Sequence, residues 1–243
     1  MQQKIFEIKK NKEIAKNIYE MKLGGEYEEN IRAGQFINIK IEGFFLRRPI
    51  CVCDYDEKSI SIVYKTVGAG TKKMSQLKTG DTLDLLIGLG NGYNLDKSKD
   101  TALVIGAGTG TASAYCAAKQ LKKSGKKAIA VLGFNTKEDI FYKEKFEDVC
   151  DRVYIATLDG SEGTKGFVTD IIKDLNYTYA YVCGPEMMMR AVYDIIKTSA
   201  EFSFEARMGC GFGACMGCSC KTKYKTKRIC KDGPVLEKEE IIW

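Results

Sequence analysis

The chain contains no histidine in its 243 residues. That absence removes Ser-His-Asp and Cys-His nucleophilic catalysis, His-ligated zinc chemistry and Rieske-type clusters together. No apolar run approaches the ~20 residues a membrane-spanning helix needs, and the opening Met1-Gln2-Gln3-Lys4-Ile5 lacks the apolar stretch of a secretory signal. A cytoplasmic protein with no membrane partner is therefore expected. Internal repeats and low-complexity linkers are missing too, so the domains should pack directly. What remains is chemistry that a cofactor carries while the protein binds and orients it, and redox chemistry fits that description.

The length, with 44% hydrophobic residues and both charge signs interspersed, suits about two soluble domains plus a small module. The net charge of +6 comes largely from scattered lysines, with a concentration at Lys221, Lys223, Lys225, Lys227 and Arg228. Alternating lysines of this kind read as an exposed strand or solvated hairpin. With no recognised nucleic-acid fold beside them, no nucleic-acid partner is expected.

Ten cysteines without a secretory segment or regular pairing argue against a disulfide framework in a chain long enough to bury a core. Four of them, Cys210, Cys215, Cys218 and Cys230, stand as C-x4-C-x2-C followed by a fourth after eleven residues. This is the plant-type [2Fe-2S] spacing, in which a tight loop supplies three thiolates and a separate strand the last. Gly209, Gly211, Gly213 and Gly217 let backbone N–H groups approach the sulfides. A zinc ribbon would show two C-x2-C knuckles, and only one is present. Cys220 reads as a bystander or a neighbouring thiol.

Three textures follow one another along the chain. Up to about Leu95, short β-rich runs at Ile5–Ile8, Ile18–Leu23, Phe36–Ile41, Ile60–Tyr64 and Thr82–Leu86 are broken by Gly, Asn and Asp, which argues for an antiparallel barrel or sandwich. Buried-strand runs at Thr101–Ile105, Lys127–Leu132, Arg152–Ala156 and Tyr179–Cys183 then alternate with helical stretches, the rhythm of a parallel α/β sheet. From about Phe204 the chain is short and Cys-rich.

Gly106-Ala107-Gly108-Thr109-Gly110 lies between a strand and a helix, where the backbone can reach a pyrophosphate. The spacing is G-x-G-x-G, no acidic residue stands near Val131-Leu132-Gly133 to hold a ribose, and a sharp turn without ligand would use the same glycines. In the β-rich region, Arg47-Arg48-Pro49-Ile50-Cys51 offers guanidinium forks on a stiffened strand. Gly68-Ala69-Gly70-Thr71 precedes an expected helix from Lys72 to Leu77, a second anion-ready feature. Each has a bland alternative, a surface Arg pair or an ordinary helix start; together with the Cys loop they suit a flavin dinucleotide.

Arg48-Pro49-Ile50-Cys51, Val63-Tyr64-Lys65, Gly70-Thr71, Leu89-Gly90-Asn91-Gly92-Tyr93, the Gly106–Gly110 turn, Cys183-Gly184-Pro185, Glu205 through Cys215, and Cys230 through Val235 together resemble the electron transfer subunits of dihydroorotate dehydrogenase B, in the ferredoxin reductase superfamily. The resemblance covers nearly the whole chain. It implies a multi-domain α+β protein with an antiparallel FAD-binding β-barrel (residues 1–98), a parallel α/β NAD-binding domain (99–203) and a small C-terminal [2Fe-2S] domain (204–243). By the same resemblance, Arg48, Pro49, Ile50 and Cys51 run along the FAD, Val63, Tyr64 and Lys65 pack on its ring and ribityl side, and Gly70 and Thr71 bind its pyrophosphate. Gly106, Gly108 and Gly110 face NAD, with Cys183, Gly184 and Pro185 near the nicotinamide, and the four cysteines hold the cluster. The implied partner is an FMN-containing catalytic subunit that oxidises dihydroorotate to orotate in pyrimidine biosynthesis, in a heterotetramer with two of each chain. The family pattern has Ser where Cys51 stands, often Gly-Pro in place of Ile87-Gly88, and often a Pro pair in place of Ala112-Ser113. A related group, the small subunit of NADH-dependent ferredoxin:NADP oxidoreductase and sulfide dehydrogenase, usually carries Asp as first ligand, and Cys210 departs from it. Two other readings stand beside this one: an NAD(P)H-dependent reductase subunit serving ferredoxin or sulfur species, and a non-enzymatic zinc-stapled binding module.

Overall fold

Apolar residues at every second position direct the first third of the chain into a closed barrel. In the computed structural model, which describes residues 1–28 and 30–243, its strands are β1 (Gln2–Ala15), β2 (Ile18–Gly24), β3 (Phe36–Lys40), β4 (Arg48–Asp56), β5 (Ser59–Lys65) and β6 (Thr82–Leu89). They pair antiparallel in the order β1-β2-β5-β4-β3-β6, and β1 closes on β6. Phe6 and Ile8, Ile37 and Ile39, and Ile60 and Ile62 fill the interior. Closure settles the choice between barrel and sandwich and leaves no free sheet edge.

After β5 comes α1 (Ala69–Ser75), which starts three residues before the expected Lys72. The Thr71 hydroxyl explains this. It accepts from the backbone N–H of Val67 (3.0 Å) and Gly68 (3.2 Å) and donates to the Gly68 carbonyl (3.1 Å), curling the chain early.

The second unit is a sheet of β7 (Thr101–Ala107), β8 (Lys127–Phe134), β9 (Arg152–Thr157), β10 (Thr164–Lys165), β11 (Tyr179–Cys183), β12 (Ala200–Ser203) and β15 (Val235–Glu237) in the order β10-β9-β8-β7-β11-β12-β15. All neighbours are parallel except β12 with β15. Its helices are α2 (Gly110–Lys123), α3 (Lys143–Glu147), α4 (Val168–Ile172) and α5 (Glu186–Ile195). The Cys-rich segment contributes the hairpin β13 (Ser219–Lys221) and β14 (Thr226–Arg228), then α6 (Ile229–Asp232) and β15 itself. The segment is thus stitched to the α/β sheet through β15, and to the barrel end by Asn91. That side chain donates to the Val235 carbonyl (2.8 Å) and accepts from the Val235 N–H (3.1 Å).

Two charged contacts bolt the barrel to the α/β unit. Lys119 of α2 reaches both carboxylate oxygens of Asp54 at 2.6 Å. Glu20 of β2, 7% exposed, accepts from Lys10, from Lys145 of α3 at 2.6 Å, and from the Tyr142 hydroxyl. Burial acts to raise the Glu20 carboxyl, and the three hydrogen bonds outweigh it, holding the group at about 2 instead of 4.5. A depressed carboxyl stabilises the fold above its unfolded value and loses that stability as pH falls through the folded value. Denaturation midpoints are therefore expected to drop between about pH 4.5 and 2, with roughly 3 kcal/mol at stake, and Glu20→Gln should flatten that limb. An acid limb unchanged in Glu20→Gln would place the titrating group elsewhere.

Candidate functional site

The α/β strand order reverses direction between β7 and β11, and a crevice opens there at the carboxyl ends of the strands, where open α/β sheets take their ligands. A cavity of about 720 Å³ fills that crevice, lined by Gly108 and Thr109 after β7, by Gly184 and Pro185 after β11, and by the ends of β8 and α4. The three glycines of the turn do different things. A Cβ on Gly106 would lie 2.8 Å from the Thr111 Cα, and one on Gly110 only 2.4 Å from the Cys183 carbonyl oxygen, so both are needed for strand–helix packing. Gly108 has φ +52° and nothing within 4 Å of its would-be Cβ. It alone meets open space at the start of α2, where N–H groups and the helix dipole favour a pyrophosphate.

A second cavity, about 240 Å³, lies between barrel and sheet and is lined by Pro49, Ile50, Cys51, Val63, Tyr64 and Lys65 of the barrel, with Thr71, Gly110 and Cys183. Lys65, Thr109 and Glu205 line both cavities, so the two adjoin. The structure divides the expected Arg pair. Arg47 spends its guanidinium on Asp84 of the neighbouring strand, two bonds of 3.0 Å and one to the Asp84 carbonyl at 2.9 Å. Arg48 lies over the Phe44 ring, centroid 4.9 Å, and against the first turn of α1, where a Cβ on Gly70 would be 2.7 Å from it. Arg48 and the Gly70–Thr71 backbone therefore form the anion-ready corner. The Thr71 hydroxyl, already donating to Gly68, leaves backbone N–H as the donor there.

Alternation along β5 also separates the expected flavin neighbours. Tyr64 is 1% exposed, belongs to the barrel core and donates from its hydroxyl to Asn11 at 2.9 Å. Val63 belongs instead to the core that the barrel shares with the α/β unit. Cys51 and Cys183 both line the smaller cavity. Burial pushes the Cys51 thiol well above its usual value, with Cys183 and Glu205 adding to the effect, and burial likewise pushes Cys183 up to about 12. Both are neutral thiols at physiological pH, and Cys51 is a weak hydrogen-bond donor in the place of a serine hydroxyl.

The four cysteines gather as two pairs. Cys210 and Cys215 share the loop, and the N–H groups of Ala214 (3.2 Å) and Cys215 (3.4 Å) donate to the Cys210 Sγ. Burial acts to raise the Cys210 thiol, but backbone N–H bonds from Cys215, Phe212 and Ala214 outweigh it and hold the group at about 6, a ready thiolate ligand. Cys218 and Cys230 form the second pair, with the Cys230 N–H donating to the Cys218 Sγ at 3.4 Å. Burial raises Cys230 to about 12, with Cys218 beside it acting in the same direction. Cys230 comes from α6, not from the separate strand the spacing suggested. Among the described residues no three or more His, Cys, Asp or Glu side chains stand grouped as a metal site, so the four cysteines are arranged as pairs. A two-iron rhomb takes two thiolates per iron, and these are the two pairs it would use. Asn38 of β3 fastens the loop to the barrel by donating to the Cys210 carbonyl at 3.1 Å; a Cβ on Gly211 (φ +80°) would sit 2.3 Å from that amide nitrogen. Arg228 braces it from the other side through Asp232 (3.1 Å) and the Gly213 carbonyl (2.9 Å). With Lys227 paired to Glu240 at 2.5 Å, the expected basic hairpin keeps only Lys221, Lys223 and Lys225 as outward charges.

Residues 205–242 match the family model of the iron-sulfur cluster binding domain of dihydroorotate dehydrogenase B, and residues 104–194 match that of the oxidoreductase NAD-binding domain. The electron transfer subunit of dihydroorotate dehydrogenase B (NAD(+)) from Fusobacterium nucleatum subsp. nucleatum is 42% identical over 94% of each chain, and that of Geobacillus sp. strain WCH70 is 40% identical over 100% of this chain and 99% of its own. The chain belongs to this family of electron transfer subunits. In fold, it overlays a solved structure of the NADH-dependent reduced ferredoxin-NADP oxidoreductase, a flavin-based bifurcating enzyme, with a TM-score of 0.89 at 30% identity over 98% of this chain and 90% of the other. Phthalate dioxygenase reductase, described as passing electrons from pyridine nucleotides to [2Fe-2S], shares the fold at a TM-score of 0.68 and 19% identity, over 79% of this chain and 64% of its own. Within the family, the Leu89–Tyr93 motif acquires a structural reading here: Asn91 is the strap that holds β15. No helix among the described residues is long and apolar enough to cross a membrane.

Proposed function

We propose that this chain carries electrons between NAD and a catalytic partner through FAD and a [2Fe-2S] cluster, as the electron transfer half of a dihydroorotate dehydrogenase in the cytoplasm. The observation that carries this reading is continuity. The NAD-sized and flavin-sized cavities share Lys65, Thr109 and Glu205, and Met208, on the wall of the second, stands two residues before the first cluster thiol. When bound, the flavin accepts two electrons as a hydride and releases them singly, and the cluster carries them one at a time.

In this reading Arg48 and the α1 backbone hold the FAD pyrophosphate, Pro49, Ile50, Cys51, Val63 and Lys65 with the Tyr64 backbone line the ring, and Gly108 receives NAD. Gly184 and Pro185 support the nicotinamide, with Cys183 at the ring edge. The four cysteines hold the iron. Division at residues 98/99 and 203/204 gives each cofactor its own unit. Cys218 and Cys230 are buried while Cys215 is exposed, beside Phe212 (43% exposed) and Met216 (53%). That outward rim is where an FMN-containing partner would meet the cluster, in an assembly of two copies of each subunit. Dihydroorotate oxidation belongs to that partner, with net flow towards NAD.

The test is a purified chain, loaded with flavin and iron and free of any second polypeptide. It is expected to oxidise NADH with a dye acceptor and to show no dye reduction from dihydroorotate. Dihydroorotate-dependent reduction by this chain alone would place the oxidation site here and overturn its assignment to the partner. Turnover restored by ferredoxin instead of the FMN subunit would favour the reductase reading that the 0.89 overlay keeps in view.

A further inference from the structure

Resting on the flavin reading, we propose that the Ser113 hydroxyl donates a hydrogen bond to the polar edge of the bound isoalloxazine and so raises the flavin potential. Ser113 stands at the end of the first turn of α2 and lines the smaller cavity with Gly110 and Cys183, on the α/β side of the gap from Pro49, Ile50 and Val63 of the barrel. It is fully buried, and its hydroxyl has no hydrogen-bond partner among the described residues. A serine inside a helix can donate back to the carbonyl one turn earlier, and here that bond is not made. Its polar neighbours are the Tyr93 hydroxyl and the Cys183 thiol. Ser113 acts on both, opposing the effect of burial, yet neither completes a hydrogen bond of normal geometry with it. Tyr93 already donates to the Val182 carbonyl at 3.2 Å.

A buried hydroxyl left unpaired costs about 1–3 kcal/mol, which a ligand in the adjoining cavity recovers by accepting from it. Other hydroxyls on the same wall are placed differently. Thr71 donates to the Gly68 carbonyl at 3.1 Å and Tyr64 to Asn11 at 2.9 Å, while Thr109 is half-buried and lines the larger cavity as well. The charged members, Lys65 and Glu205, stand on the boundary with the larger cavity, and the thiols of Cys51 and Cys183 are weak donors. Phe36, Ile50, Val63, Phe204 and Met208 give the rest of the wall an apolar surface that suits the faces and benzenoid edge of the ring. The pyrimidine edge, with its carbonyl oxygens and ring nitrogens, is the part that needs a donor. Reduction adds negative charge to that edge, and a hydrogen bond to a charged acceptor is about twice as strong as one to a neutral acceptor. The hydroxyl therefore favours the reduced ring over the oxidised one. Proline, frequent at this place in the family pattern, has no hydroxyl to give, so the donor sets this chain apart.

The test uses the full chain as Ser113→Ala and as Ser113→Cys, which keeps a weaker donor. FAD affinity is read by fluorescence titration of the deflavinated protein, and the flavin potential by spectroelectrochemical titration of the loaded one. Ser113→Ala is expected to weaken oxidised FAD about fivefold and reduced FAD about 25-fold. That fivefold difference is a fall of about 20 mV in the two-electron potential, and Ser113→Cys should lie between the parent and Ser113→Ala. The deflavinated Ser113→Ala chain should melt no lower than the parent, because alanine leaves no unpaired hydroxyl behind. FAD affinity within about twofold of the parent together with an unmoved potential in both variants would overturn the assignment. So would a deflavinated Ser113→Ala chain that melts lower, which would make the hydroxyl part of the packing. Failure of the parent chain to take up FAD would overturn the flavin reading itself, and the assignment with it.

Discussion

Serine in place of Cys210, Cys215, Cys218 or Cys230 is expected to remove the iron-sulfur signal or shift it strongly, while Cys220→Ser leaves it intact. Each thiol belongs to one of two pairs, and each iron of a rhomb depends on both members of its pair. A serine hydroxyl is a harder, far less acidic donor than a thiol and does not replace a thiolate on iron without changing its electronics. Loss should be most complete for Cys218 and Cys230, which are 6% and 1% exposed and whose pocket admits no substitute ligand from solvent. Cys220 sits on β13 opposite Lys227, outside both pairs. Iron and labile sulfide analysis with visible absorption checks this on anaerobically prepared protein. The four ligand variants should fall from about two irons per chain towards none. Stoichiometric zinc without iron or sulfide in the unmodified chain would sink the cluster assignment.

How far the sequence reached depended on whether a feature was local. Strand alternation at Phe6/Ile8 and Ile60/Ile62, and the βαβ rhythm from Thr101 onwards, depend on residues a few positions apart, and these elements fall where periodicity put them. The cluster spacing is local in the same sense. Pairings across the fold were not legible. Nothing beside Arg47 in sequence says that Asp84 will claim it, so two adjacent arginines read alike, whereas only Arg48 remains for an anion. Tyr64 and Val63 are neighbours whose side chains part to opposite faces of β5, a consequence of register that a quoted motif conceals. The strap from Asn91 to Val235 spans nearly the whole barrel-to-terminus separation and could only be seen folded.

Gly110→Ala is expected to damage stability and nucleotide binding together, whereas Gly108→Ala should damage binding far more than stability. A methyl on Gly110 would lie 2.4 Å from the Cys183 oxygen, 2.6 Å from its carbonyl carbon and 2.7 Å from the Gly184 nitrogen. All three are backbone atoms at the end of β11, with no side chain among them to swing aside. Relief requires α2 to back away from the sheet, and α2 also carries Lys119, one of the two bolts to the barrel. Overpacking of this kind costs about 3 kcal/mol. It would also widen the crevice where β7 and β11 diverge, so flavin content should fall with nucleotide affinity. Gly108 meets no atom within 4 Å, so its variant bears only the left-handed backbone cost at φ +52°, about 1 kcal/mol. Its methyl, however, would project into the open space where the proposed reading puts the NAD pyrophosphate. Thermal denaturation and NADH titration of both variants separate the two roles: a Gly110→Ala protein as stable as the parent would mean that the α2–β11 contact is looser than its 2.4 Å approach implies, and a Gly108→Ala protein with undiminished NADH affinity would move the pyrophosphate away from this turn.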